Sequence, residues 1–315
     1  MSLRRYFRTY TILFVMLGLF AVMSLAVDNF FTVENFLTVF RNITHTMLLA
    51  CGLTFVFLGG GFDLSQGATL ILTATLLISM SPSSPLFFCA ALVLVLAAAA
   101  AIGLVNGYLI GIHNLNPFVI TLGIRSIVGG VIFVYAAGAV IGASVPSPIL
   151  EFVGLNRLFG YLPVVVLTWI VAAAACWFVV RHTPFSRRIA VVGSSPAVAR
   201  FSGLPVKGLS MSTYVINAFL AGLAGVLVAA QTSFITPSLV WYYDFDAITA
   251  CALGGISLSG GRGSIVNTVL GVLFLGFINN SMILLGLPYP WQLILKGGVL
   301  LAAIITDMQS KRNYA

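Results

Sequence analysis

Charge is what this sequence lacks most. Only 7% of its 315 residues are Asp, Glu, Lys or Arg, against roughly 25% in soluble domains. So few charges cannot cover the surface of a soluble fold of this length. A chain that is 60% hydrophobic, with a mean hydropathy of +1.10, is read as an integral membrane protein. Acids are scarcer than bases, seven against fifteen. No Gly-Lys-Ser/Thr occurs, which excludes ATP binding through a Walker A loop. HExxH and GxSxG are missing too, so the zinc-protease and nucleophile-elbow signatures are absent. Cys51, Cys89, Cys176 and Cys251 are widely spaced in apolar contexts and read as buried free thiols rather than metal ligands. No catalytic group, metal or cofactor is expected.

What the chain has instead is a series of apolar runs of about 20 residues. They are continuously apolar, which indicates helices rather than the short alternating strands of a barrel. Ten segments are expected to be helical: Tyr10–Val27, Phe36–Leu58, Gly67–Met80, Leu86–Ile110, Phe118–Gly138, Tyr161–Val180, Leu209–Thr232, Phe245–Leu258, Ser264–Leu285 and Trp291–Thr306. The first follows Arg4, Arg5 and Arg8 but lacks a convincing small-residue cleavage site, so it reads as an uncleaved span. Gly103, Gly107 and Gly111 recur at steps of four, and Ala218/Gly222 and Ala221/Gly225 form similar stripes. Such small-residue stripes let helices approach closely.

The segment Arg181–Lys207, RHTPFSRRIAVVGSSPAVARFSGLPVK, holds five Lys/Arg, one His and no acid. Cytoplasmic loops retain Lys and Arg. With both termini inside, Arg4, Arg5, Arg8, the five island residues, Arg262, Lys311 and Arg312 are cytoplasmic. Arg41 and Arg157 are outside, and the acids Asp28, Glu34, Glu151, Asp244 and Asp246 lie outside or at the outer edge. The net charge of +8 is thus explained by membrane edges, and nucleic acid is not an expected partner.

A few polar groups interrupt the apolar runs. Asp63, in LGGGFDLSQG, reads either as part of a rigid turn near a translocation path or as a capping residue with Ser65 as its partner. Arg125 and Lys296 fall inside expected helices, where an ion suggests a site or a pair. His45 and His113 are isolated and read as structural. PSLVWYYDFD (Pro237–Asp246) reads as an interfacial aromatic belt or a docking surface. Asn106, Thr121, Asn217 and Gln231, with Asp63, are candidate path-lining residues.

Several segments together resemble the membrane permease subunits of bacterial ATP-binding cassette importers of the ribose/xylose/arabinose type. They are GLTFVFLGGGFDLSQG (Gly52–Gly67), NGYLI (Asn106–Ile110), NPFVITLG (Asn116–Gly123), VVGSSPAVARFSGLPV within the island, and DFDAITACALGGISLSGGRGS (Asp244–Ser264). The resemblance implies a single all-α permease domain over residues 1–315 in a bacterial inner membrane, with a cytoplasmic coupling loop at about 181–208. It also implies a second permease subunit, identical or different, two cytoplasmic ATPase subunits and a periplasmic sugar-binding protein. A coupling helix would lie at about Ser195–Gly203, with Ala197 and Ala199 packing into the ATPase and Arg200 pairing with it. Departures from the family pattern are Ser186-Arg187 for Gly-Arg, Ser194–Pro196 ahead of the coupling helix, Gly129 where an Arg is usual, with Arg125 one turn earlier, and Asn267-Thr268 for Gly-Thr. They bear on substrate and ATPase choice rather than fold. The reading is a monosaccharide permease, ribose or another pentose first, with a hexose, a sugar-derived signal or a nucleoside as alternatives. An ion-coupled secondary transporter is the competing class.

Overall fold

The computed structural model describes residues 16–312 apart from 28, 143–146 and 233. Arg4, Arg5, Arg8, Asp28, the start of the first expected helix and the side chains of Lys311 and Arg312 lie outside the described residues. The rest is an all-α polytopic membrane protein. Its helices are α1 (Met16–Ala26), α2 (Val33–Asn42), α3 (Thr44–Leu58), α4 (Gln66–Met80), α5 (Pro85–Gly107), α6 (Pro117–Tyr135), α7 (Pro148–Leu155), α8 (Val164–His182), α9 (Pro184–Ser194), α10 (Pro196–Phe201), α11 (Val206–Thr232), α12 (Tyr243–Leu253), α13 (Ile265–Leu284) and α14 (Tyr289–Arg312). A π-helical turn, Tyr108–Ile112, extends α5. Two short antiparallel pairings complete the described structure: Ile141 with Ile235, and the hairpin Leu158 with Leu162.

Helix starts follow from local chemistry. At Ser84-Pro85, Asn116-Pro117, Ser147-Pro148 and Ser195-Pro196 the first residue accepts a backbone N–H with its side chain and the proline takes the first helical position. Proline has no N–H to leave unpaired there, and its fixed φ suits the helix.

Every expected segment meets a helix, but they are not ten full-length spans. Among the described residues five helices are long and apolar enough to cross a membrane alone: α5 with its π-turn, α6, α8, α11 and α13. The second expected helix is broken. Helices α2 and α3 meet at Ile43 with a bend of 51°, and counting them as one span gives six. Helix α4, at 15 residues, is about 22 Å long, too short to span alone. Helix α7 lies in what reads as a loop in the sequence.

Helix α11 is central and packs against α5, α3, α4 and α7, while α12 and α13 close the other side of α3. Helices α5, α6 and α8 turn broad apolar faces outward, at Leu86, Val134 and Val171 for example. Cys89 on α5 is therefore exposed, against the expectation of burial; Cys51, Cys176 and Cys251 are buried. The glycine stripe of α5 lies on α11: a methyl at Gly103 would stand 2.7 Å from the Tyr214 carbonyl oxygen and one at Gly107 2.9 Å from the Met211 Cα. Gly222 meets Ala99 of α5, and Gly225 meets Thr73 and Leu70 of α4.

Helix α11 runs roughly 40 Å from Val206 to Thr232 and defines two ends. At the Val206 end, three glycine segments meet. Gly261 N–H donates to Leu58 O (3.1 Å), and a methyl on Gly193 would collide with the Leu58 carbonyl oxygen and come within 2.8 Å of Gly60 N. Gly60, Gly260 and Gly261 have φ of +74°, +95° and +77°, a conformation open to glycine at little cost. Helices α9 and α10 are thereby fastened to the α3–α4 turn. The Thr232 end holds α2, α7 and the Ile141–Ile235 pairing.

Gly103→Leu is expected to overpack the α5–α11 contact by about 1–3 kcal/mol, lowering the thermal midpoint in detergent. Gly130→Leu, at a position where an added methyl would meet nothing within 4 Å, leaves it unchanged. Equal midpoints for the two variants contradict the contact.

Candidate functional site

The chain between α3 and α4 is irregular from Gly61 to Ser65, and Asp63, Leu64 and Ser65 are buried. Irregular backbone at membrane depth survives only where protein or a cavity satisfies it. The Asp63 carboxylate, 1% exposed, accepts from Ser65 N (2.7 Å), Ser65 Oγ (2.6 Å) and Asn217 Nδ2 of α11 (2.9 Å). Asn106 Nδ2 of α5 donates to Ser65 Oγ (2.8 Å). Leu64 N donates to Thr121 Oγ1 of α6 (3.1 Å). Tyr214 Oη reaches Phe62 O (3.5 Å).

One further donor at the start of α4, Gly67 N, is taken by Asp244 Oδ1 of α12 at 2.6 Å. Asp244 is fully buried and pairs with Arg125 of α6 (3.2 Å). Arg125 also donates to Val240 O (3.2 Å). The two carboxylates thus sit at the N-terminus of α4, where unpaired N–H groups and the helix dipole favour negative charge. Gly129, one turn on from Arg125, faces Val240 as well, at 3.4 Å for an added methyl.

Asp63, Asn106, Thr121 and Asn217 are therefore brought together in one network. Gln231 is not: it lies roughly 20 Å further along α11 and donates to Arg41 O (3.2 Å). Sequence reasoning missed Asp244 as a member, placing it at the outer edge. Its signal was an acid opening an apolar helix with no neighbouring base, and the partner, Arg125, is 119 positions earlier. The aromatic-acidic segment is accordingly no simple belt: Asp244 is core, while Tyr242 and Phe245 are exposed. Lys296 pairs with Asp246 at 2.9 Å.

The island folds into α9 and α10. Helix α9 buries Ser186, Ile189 and Val192 and exposes Arg187 and Arg188. Ser195 Oγ accepts Val198 N at the start of α10 (3.3 Å). Gly203, at φ +74°, ends it, with Leu204 N donating to Ala199 O (3.0 Å), a Schellman closure. Ala197 and Ala199 do not share an outward side, contrary to expectation. Residues two apart in a helix lie on nearly opposite faces; Ala199 is buried in the chain's own core and Ala197 is exposed. The outward face is Ala197, Val198, Arg200 and Phe201, the last 94% exposed. Phe201 was not singled out from the sequence.

Beside α10 is a cavity of about 480 Å³, lined by Arg200, Lys207, Gly59–Gly61 and the π-turn. At the opposite end, a cavity of about 410 Å³ lies between α2, α3, α11 and α12, lined by Thr38, Arg41, Asn42, His45, Gln231 and Tyr243, among others.

A family model described as "Branched-chain amino acid transport system / permease component" matches residues 35–304. The chain is 35% identical over 300 residues to the ribose import permease protein RbsC of Escherichia coli strain K12, covering 94% of this chain and 92% of that protein. It is 31% identical over 307 residues to the L-arabinose ABC transporter permease protein AraH of Azospirillum brasilense, covering 96% and 88%. It is 32% identical over 302 residues to the D-allose transport system permease protein AlsC of Escherichia coli strain K12, covering 95% and 90%. No solved structure matches.

Asp244→Asn is expected to destabilise the protein by about 3–5 kcal/mol, because the Arg125 charge stays buried without its carboxylate. Arg125→Met added to it restores part of that loss. A double-mutant cycle of thermal unfolding in detergent reads the coupling; purely additive losses argue against the pair as the fastening of α4.

Proposed function

This chain belongs to the permease family described as "Branched-chain amino acid transport system / permease component", and on that footing we propose that it is the translocating subunit of an ATP-driven importer of a monosaccharide, ribose or another pentose first. Its relatives are named as permeases for ribose, L-arabinose and D-allose. It is a transport subunit of a multi-pass inner membrane protein complex, not an enzyme, and a separate ATPase subunit supplies the energy.

The observation that carries the coupling assignment is α10: a capped, six-residue helix on the basic end of a chain without a Walker A loop, with Phe201 94% exposed. Exposed aromatic and arginine side chains are the common anchors of protein contacts. Ala197, Val198, Arg200 and Phe201 form the docking face for the ATPase; Ser195 and Gly203 fix the ends of the helix and Ala199 holds it to the core. In this reading the termini and the island are cytoplasmic and ten helical segments, several of them broken, cross or enter the membrane. Arg181, Arg187, Arg188, Arg200, Lys207 and Arg262 at one end, with Glu34 and Glu151 at the other, support that orientation.

Of the candidate path residues, Asp63, Asn106, Thr121 and Asn217 form the internal frame of the path wall, and Gln231, which lines a cavity, faces the solute. A second permease subunit, the same or different, completes the path, two ATPases dock beneath, and a periplasmic sugar-binding protein delivers solute above. Two states with different contacts to each partner then convert ATP binding into transport.

Proteoliposomes carrying this chain with its ATPase and binding protein are expected to accumulate tritiated ribose only with ATP inside, and Arg200→Glu to remove that uptake. Uptake by the chain alone under an ion gradient replaces this reading with a secondary transporter. ATP-driven uptake of a hexose or nucleoside in place of ribose changes the substrate but keeps the class.

A further inference from the structure

Helix α2 stops at Asn42 and α3 restarts at Thr44 after the 51° bend. That bend opens a polar chamber at the end of the molecule opposite the basic island. His45 stands at its centre, in the lining of three cavities of about 410, 170 and 590 Å³. Tyr243 forms a second wall, edge-on to His45 with ring centroids 4.9 Å apart. Arg41, Asn42 and Gln231 line the first cavity, and Asn42 continues into the second, where Asn279 also lies. Asn279 Oδ1 is buried and without a hydrogen-bond partner.

The donor and acceptor set is mixed. In the first cavity the Asn42 amide and the Thr38 hydroxyl carry both kinds of group, Gln231 and Arg41 add N–H groups, and Tyr243 adds a flat apolar surface. A sugar hydroxyl is itself both donor and acceptor, and a sugar ring presents an apolar C–H face. An amino acid would need a fixed pair of opposite charges, and the base and acid at the margin of the chamber, Lys296 and Asp246, are already joined at 2.9 Å. The volume of the first cavity is at the low end of the roughly 300–1,000 Å³ typical of small-molecule sites, which suits one ring rather than an oligosaccharide.

We propose that the first cavity of this chamber is a binding site for a single monosaccharide, its hydroxyls held by Thr38, Arg41, Asn42 and Gln231 and its ring face set on Tyr243. The proposal rests on the function proposed above and places the solute at the bend between α2 and α3. Roughly 20 Å of α11 separates it from the Asp63 network, so solute held there has not yet reached the closed part of the protein.

The test uses the complete importer in proteoliposomes, with tritiated ribose, arabinose, allose and galactose as probes. Asn42 is an exposed helix-end residue, and Asn42→Trp fills the first cavity. It is expected to stop uptake of the sugar that the unaltered importer moves, while the complex still assembles and elutes as one species. Asn42→Ala and Thr38→Ala leave room for the ring and are expected to raise KM roughly two- to tenfold, the effect of one lost hydrogen bond, with little change in kcat. Uptake by Asn42→Trp at the unaltered rate overturns the site while leaving the functional reading intact. If Asn42→Trp does not assemble, the two alanine variants decide, and unchanged KM in both overturns it. Failure of the unaltered importer to move any of the four sugars removes the monosaccharide reading, and the site with it.

Discussion

Helix α4 begins inside the protein rather than at a membrane surface, and that single fact organises the structure. A helix start carries unpaired N–H groups, and no water is at hand to take them. Four other helices therefore send polar side chains to this point: Thr121 from α6, Asn106 from α5 by way of Ser65, Asn217 from α11 by way of Asp63, and Asp244 from α12. Asp244 brings a charge, which Arg125 on α6 balances; Asp63 brings another, surrounded by three donated hydrogen bonds. Helices α5, α6, α11 and α12 are held in register by the need to complete one helix end.

Close approach makes this convergence possible. The glycine faces of α5 and α11 bring backbones together, and Gly60, Gly193, Gly260 and Gly261 do so at the basic end. As a result α9 and α10 are not a loose loop. Gly193 lies on Leu58 and Gly60, next to the irregular stretch that contains Asp63. An unbroken set of contacts thus runs from the exposed face of α10 to the start of α4. A partner that displaces α10 acts on a packed body, and packed bodies shift between discrete arrangements rather than deform smoothly.

The opposite end has the contrary character. There the α2–α3 bend, Gln231 and Tyr243 leave room, and polar groups line cavities as well as bonding one another. The contrast suits a transport subunit: a dense interior tied by the hydrogen bonds around Asp63 and Asp244, between an open polar chamber at one end and a docking helix at the other.

Membrane residence, helical class and the approximate place of the ten expected segments were legible in the chain, because long apolar runs are local features; α7 was not, being too short to stand out from a loop. The glycine stripes and the basic island were legible for the same reason, as was the bond between Asp63 and Ser65, two positions apart. The ion pairs of Arg125 with Asp244 and Lys296 with Asp246 were not, since their members lie 119 and 50 positions apart and only packing brings them together. Nor was the bend at Ile43, where Arg41, Asn42, Thr44 and His45 interrupt the apolar run but packing sets the angle, or the burial of Ala199 rather than Ala197, which depends on which face of a short helix the core claims. Local hydrogen bonding and hydropathy determined what each segment became; burial, in a medium that leaves no charge or backbone donor unpaired without cost, decided which segments met.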